Sequence, residues 1–158
     1  MFGFYDVSED YIKYLKQFEP KVPNVNYALN SKFVCGIVLN VNGIDYYAPI
    51  SHTIQKFRTS MLILDKNNNP ISSIRFSFMF PALESVLTIK DFNIIKKTDP
   101  NYAALLQKEY YFCLKNLNDI KKKALSVYKI GCNVNHPMFT NCCNFILLEN
   151  NYRNFQVS

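Results

Sequence analysis

Apolar and polar positions alternate with two different periods along this chain. Phe33 to Val41 is an almost unbroken apolar run, and Ile44 to Pro49 follows it across Asn42-Gly43. Asn-Gly supplies the two positive φ angles of a type I′ turn, so the pattern predicts an antiparallel hairpin. Its second strand should end at Pro49, which has no N–H to give to a ladder. Gly3–Val7, Met61–Asp65, Ile71–Phe78 and Val86–Ile89 read as further strands, with Asn67-Asn68-Asn69-Pro70 turning the chain before Ile71.

Elsewhere the spacing is helical. Ser8 can cap a helix over Glu9 to Phe18, with Tyr11, Tyr14, Leu15 and Phe18 on one face. Glu19-Pro20 and Val22-Pro23 end it, because the residue before a proline avoids the α region. Asn24 to Ser31 reads as a polar loop carrying Tyr27, and Asp91–Lys96 as a short helix. Asp99-Pro100 is a helix start, an N-cap followed by proline at the first helical position. Ala103, Leu106, Tyr110, Cys113, Leu117, Ile120, Ala124 and Val127 then keep one apolar stripe, which predicts a single long helix in the C-terminal half. Lys121-Lys122-Lys123 and Lys129 would suit its negative C-terminal end, and Gly131 would stop it. Phe145, Leu148, Tyr152 and Phe155 mark a last helical segment. The expected fold is α/β (α+β): an antiparallel sheet followed by helices, in one domain spanning 1–158.

Composition narrows the class. The 158 residues are 49% hydrophobic and 19% charged, within the globular range. No apolar run approaches the roughly 20 residues of a membrane span. Met1 to Asp10 lacks a basic leader and carries early acids, so a cytoplasmic chain is expected. Five cysteines without CxxC spacing argue for buried thiols rather than a disulfide framework or a structural metal site. A net charge of +6 favours polyanionic partners, and 11 tyrosines among the lysines offer stacking surfaces for bases.

The chemistry concentrates in Tyr46-Tyr47-Ala48-Pro49-Ile50-Ser51-His52. A hydroxyl and an imidazole stand at the mouth of a hairpin, and Lys56 and Arg58 follow within a few residues. RNA can be cut by in-line attack of its 2′-oxygen on the adjacent phosphate. A catalyst must take the 2′ proton, stabilise charge on the five-coordinate phosphate and protonate the departing 5′ oxygen. An unperturbed imidazole titrates near pH ~6.5 and suits proton transfer. Ser51 can donate to a phosphate oxygen, and Lys56 can balance charge. No cluster of carboxylates or histidines accompanies the strand end, so neither metal nor other cofactor is expected. Each residue also has a plainer reading. His52 could be an idle loop histidine, and His136, before Pro137, another; Tyr11 could be core, and Lys121-Lys122-Lys123 a solvated helix end.

Three collinear stretches resemble the ToxN/AbiQ family of endoribonuclease toxins from type III toxin–antitoxin systems. The first runs from Phe4-Tyr5 through Tyr11-Ile12-Lys13-Tyr14-Leu15 to Lys21-Val22-Pro23-Asn24. The second is Gly36-Ile37-Val38-Leu39 with Tyr46 to Ser51. The third is Cys143 to Glu149, then Tyr152-Arg153-Asn154-Phe155; Phe78-Met79-Phe80-Pro81 lies between the second and third. The resemblance implies a compact twisted antiparallel sheet with flanking helices, similar to the MazF/Kid ribonucleases. It also implies metal-independent cutting of mRNA and of the toxin's own antitoxin precursor, leaving 2′,3′-cyclic phosphates. It implies inhibition by a small structured RNA antitoxin in a closed protein–RNA oligomer, and a role in abortive infection by phage. Carried over by position, Tyr11, Tyr27 and Lys32 line the RNA cleft, and Ser51 stands where the family has Thr or Ser. His52 replaces a serine and Ile54 a lysine, with Lys56 in reach as a substitute. The resulting candidates are Ser51, His52, Lys32 and Lys56 for catalysis, and Tyr11, Tyr27, Arg58, Lys121, Lys122 and Lys123 for RNA contact. The rival readings are a basic module that holds RNA or protein without cutting, and a peptide-binding barrel.

Overall fold

Strand β1 (Phe4–Val7) runs into Ser8, whose hydroxyl accepts the Tyr11 N–H and caps α1 (Glu9–Lys16). The computed structural model describes residues 2–24 and 35–157. Strand β2 (Cys35–Val41) pairs antiparallel with β3 (Ile44–Ser51) across the predicted turn, where Asn42 and Gly43 take φ of 52° and 82°. Residues 33 and 34 of the predicted strand, and Tyr27 and Lys32, lie outside the described residues. Strands β4 (Ser60–Leu64) and β5 (Pro70–Arg75) form a second hairpin. The Asp65 carboxylate ties its turn by accepting the Asn67 and Asn69 N–H groups at 2.8 and 2.9 Å, with Asn68 at φ 63°. Two short strands follow, β6 (Phe80–Pro81) and β7 (Leu87–Ile89). Every pairing is antiparallel, in the order β4-β5-β3-β2-β1-β7, with β6 also paired to β3.

Strand β3 does not end at Pro49 as the sequence predicts. Tyr46 and Tyr47 pair with Pro81 and Phe80, whereas Ile50 and Ser51 pair with Ile74 and Ser73 of β5. Pro49 falls in the gap between these two pairings on that edge, and its missing N–H is tolerated there. The strand therefore carries Ser51 to its last position.

The predicted single long helix is two. Following α2 (Phe92–Thr98), α3 (Pro100–Lys115) is capped by the Asp99 carboxylate, as expected, but ends at Asn116, which has φ −117° and ψ 22°. The Asn116 Nδ2 donates to the Phe112 carbonyl at 2.8 Å, an alternative to continuing the helix. A new helix, α4 (Leu117–Gly131), begins at once. The apolar stripe runs through the break because both helices bury their faces in one core, with Leu106, Cys113, Ile120, Ala124 and Val127 all buried. Lys121-Lys122-Lys123 consequently lie in the first half of α4, not at a negative helix end. Gly131 does end α4, as predicted, but without a left-handed φ. A Cβ there would stand 2.3 Å from the ring of Phe145, so the glycine makes room for α5 (Phe145–Asn151).

The C-terminal segment closes the core. Asn144 caps α5 by accepting the Leu147 N–H, and its own N–H donates to the buried Glu19 at 2.8 Å. The Cys143 N–H donates to the Ser77 carbonyl. The Glu149 carboxylate accepts from the hydroxyls of Tyr46 and Tyr128, each at 2.8 Å. Phe145 stacks on Tyr128 and meets Tyr46 edge to face. Burying a ring such as Phe145 contributes about 1.5–3 kcal/mol.

Candidate functional site

Ser51 and the segment up to Arg58 form the candidate site. Pairing places Ser51 opposite Ser73, and side chains two apart on a strand share a face, so Ser51, Ser73 and Arg75 point the same way. Ile50, Ser72 and Ile74 point the other way, where the Ser72 hydroxyl donates to Glu109 of α3 at 2.6 Å. The sheet thus has a covered apolar side and a side bearing the loop.

The loop is built around two anchors. At its start, the Thr53 N–H donates to Ser51 Oγ at 3.1 Å while the Ser51 hydroxyl donates to Thr53 Oγ1 at 3.1 Å. At its end, the Phe57 N–H donates to Ser60 Oγ at 3.2 Å and the Ser60 N–H donates to the Phe57 carbonyl. Between them His52, Lys56 and Arg58 are exposed and Ser51 is half-buried. Ile54 is 54% exposed. One exposed imidazole, the hydroxyls of Ser51 and Thr53, and two exposed cations thus share a single short loop.

Arg75 joins this group, and sequence reasoning missed it. Its guanidinium lies 4.7 Å from the Phe57 ring centroid and 5.0 Å from that of Phe78. Such cation–aromatic contacts fix the plane of the group. Burial pulls its pKa below the ordinary value, though an arginine stays charged in proteins. Among the described residues its Nε and the buried Ser73 Oγ have no hydrogen-bond partner. The available signal was a lone cation inside the run Ile74-Arg75-Phe76, where a strand facing only core would hold an apolar residue.

Other candidates fall elsewhere. Tyr11 is 1% exposed, its hydroxyl donates to the Pro81 carbonyl and its ring packs edge to face on Phe155. Burial, first of all, raises its pKa and keeps the phenol protonated. Placed in the core, it offers no surface to RNA, which corrects the expectation for this residue. Lys121 and Lys122 are exposed and Lys123 half-buried, on α4 rather than beside the loop. His136 accepts the Met138 N–H through Nδ1 at 3.0 Å, an intra-loop structural bond. Among the described residues no group of three His, Cys, Asp or Glu side chains is placed to hold a metal ion. No helix among them is long and apolar enough to cross a membrane.

Comparison with known proteins gives concordant matches. The family model described as toxin ToxN of type III toxin–antitoxin systems matches residues 3–153. The chain is 31% identical to endoribonuclease ToxN of Pectobacterium atrosepticum, over 96% of this chain and 92% of that one. It is 25% identical to endoribonuclease AbiQ of Lactococcus lactis subsp. lactis, over 92% of this chain and 85% of that one. A solved structure from work on selective toxin inhibition by a non-coding RNA pseudoknot superimposes with a TM-score of 0.89. Its sequence identity is 26%, over 97% of this chain and 96% of that one.

Proposed function

This chain belongs to the ToxN family of type III toxin–antitoxin toxins, and from that premise we propose that it cuts RNA without a metal ion, using the loop after β3. The family's named relatives are endoribonucleases. The observation that carries the reading is that β3 ends at Ser51 and passes straight into a loop with His52, Lys56 and Arg58 exposed, with Arg75 of the paired strand packed on that loop's Phe57.

The 2′-oxygen of the substrate attacks phosphorus in line, the P–O5′ bond breaks, and the products are a 2′,3′-cyclic phosphate and a 5′ hydroxyl. His52, exposed on the loop, takes the 2′ proton, and the departing 5′ oxygen takes its proton from solvent water. Ser51 donates to a non-bridging phosphate oxygen. Its oxygen already accepts the Thr53 N–H, so a turn of the hydroxyl away from Thr53 Oγ1 aims the proton at substrate while the oxygen stays held. Arg75 and Lys56 balance the charge that develops on phosphorus, Arg75 through its planar fork and Lys56 as a mobile point charge. Lys32 completes the set by the family resemblance, and Tyr27 stacks against RNA on the same ground.

The chain acts as a toxin on cellular mRNA in the cytoplasm, processes its antitoxin precursor, and is neutralised by that RNA in a closed protein–RNA oligomer. Its cleavage during phage infection would abort the infection. The inhibitory RNA pseudoknot studied with a structural relative supports this partner. The test is product chemistry. Purified protein with cellular RNA in excess EDTA should yield cyclic-phosphate and 5′-hydroxyl ends. Loss of cutting on chelation, restored by magnesium, would overturn the mechanism. RNA bound but never cut would leave only a binding module.

A further inference from the structure

An open groove of about 970 Å³ separates the tip of the β4–β5 hairpin from α3, apart from the loop just described. The turn contributes Lys66, Asn67 and Asn68, and α3 contributes Lys108, Tyr111 and Lys115. Positions 108, 111 and 115 are spaced to stand in one row on a helix. The opposite row, Leu106, Glu109 and Cys113, is buried. Tyr111 is 61% exposed, and Lys115 Nζ lies 4.6 Å from its ring centroid. Three lysines face one carboxylate in the lining, and that carboxylate, on Asp65, is engaged by the backbone of its own turn.

An exposed aromatic face beside cations and amides is the equipment of a single-strand nucleic-acid site: a platform for one base, ammonium groups for the flanking phosphates, amides for base edges. Position supports the same occupant. β4 begins at Ser60, two residues after Arg58, and ends at Leu64, two residues before Lys66. Four residue steps at roughly 3.3 Å each separate those ends by about 13 Å. β4 is also the edge strand of the sheet, with no further strand beside it among the described residues. Cations therefore stand at both ends of one free edge.

We propose that this groove holds the single-stranded stretch of the substrate RNA that runs on from the scissile phosphate along the β4 edge, with one base stacked on Tyr111 and phosphates on Lys66, Lys108 and Lys115. The proposal rests on the loop after β3 being the cleavage site. It makes substrate length matter: an RNA too short to reach the groove is cut without its help.

The test uses the full chain and two synthetic RNAs centred on a cleavage site mapped in cellular RNA, one short and one extended on both sides. Tyr111→Ala and the double variant Lys108→Glu/Lys115→Glu change exposed positions on α3. For the long RNA each should raise KM roughly tenfold or more at unchanged kcat. The lysine variant should also flatten the dependence of KM on salt. The short RNA should be cut by all three proteins alike. Equal KM values for the long RNA would overturn the proposal. So would weakened binding of the antitoxin RNA alone, which would assign the groove to the inhibitor, or of an acidic peptide alone, which would assign it to a protein. Failure of the parent chain to cut either RNA would instead overturn the nuclease reading itself.

Discussion

The Oε1 atom of Glu149 accepts a 2.8 Å hydrogen bond from the hydroxyl of Tyr46, joining α5 to β3 across 103 positions of sequence. Tyr46 is fully buried, and both the buried location and the carboxylate raise its pKa, burial first. The bond holds the strand that delivers Ser51 and His52. Glu149 also binds Tyr128, so a single carboxylate secures two phenols. Glu149→Ala should cost about 1–3 kcal/mol, the penalty for stranding buried hydroxyls. Thermal melting of the variant would measure it, and Glu149→Gln should recover part of the loss. A variant that melts with its parent would show that water replaces the carboxylate.

His52→Ala should slow single-turnover cleavage by roughly 10²- to 10⁴-fold, the usual effect of losing a positioned acid or base. RNA affinity should change little, because counterion release comes mainly from the lysines and arginines. Ser51→Ala should cost about 1–3 kcal/mol in the same assay, one lost bond to a charged oxygen. In cells His52→Ala should abolish toxicity with no antitoxin present. If that variant stays toxic, proton transfer belongs to Lys32 or Lys56.

Tyr11→Phe should lower stability by about 0.5–1.5 kcal/mol, the net value of one buried hydrogen bond, here the bond to the Pro81 carbonyl. KM for RNA should not move, because the hydroxyl faces the core. A raised KM in a variant of undiminished stability would return Tyr11 to the RNA surface.

Glu109 gives the fold a pH dependence of definite sign. It is 3% exposed, and burial raises its pKa above the ordinary 4.5, with the Ser72 bond opposing. A carboxyl that binds its proton more tightly when folded favours the folded state at low pH. That contribution is lost as pH rises from the ordinary value through the raised one. Glu109→Gln should therefore melt above the parent at neutral pH, with the gap narrowing as pH falls through that window. A variant melting below its parent at neutral pH would show that the bond from Ser72 outweighs the cost of burial.

The features legible in the sequence are those whose cause is local. Asn42-Gly43 sets its own φ angles, and the side chains of Ser8 and Asp99 cap the helices that follow them. The features it concealed depend on chain that arrives from elsewhere. Pro49 can stay within a strand only because β6 and β5 take the two sides of the gap around it. Gly131 ends α4 as its sequence suggests, but the reason for a glycine there, the Phe145 ring against it, comes from another element. The helix break escaped notice because the stripe that predicts helix is set by burial, and burial continues through Asn116 into α4. In the site, Ser51, His52, Lys56 and Arg58 share one short stretch and were visible together. Arg75 was not, since only pairing of β5 with β3 and β4 brings it there. The resemblance motifs also divide on inspection. Cys143, Asn144 and Glu149 are fasteners to Ser77, Glu19 and Tyr46.

Those fasteners bear on the order in which the chain can pack. A ribosome completes β3 and its loop about ninety codons before it reaches Phe145 and Glu149, the groups that cover Tyr46. Until then the strand behind the loop lacks its backing and the core stands open to water. The backing of β3 is therefore supplied by chain made long after the strand itself, so β3 packs as it does in the folded protein only once α5 has joined it.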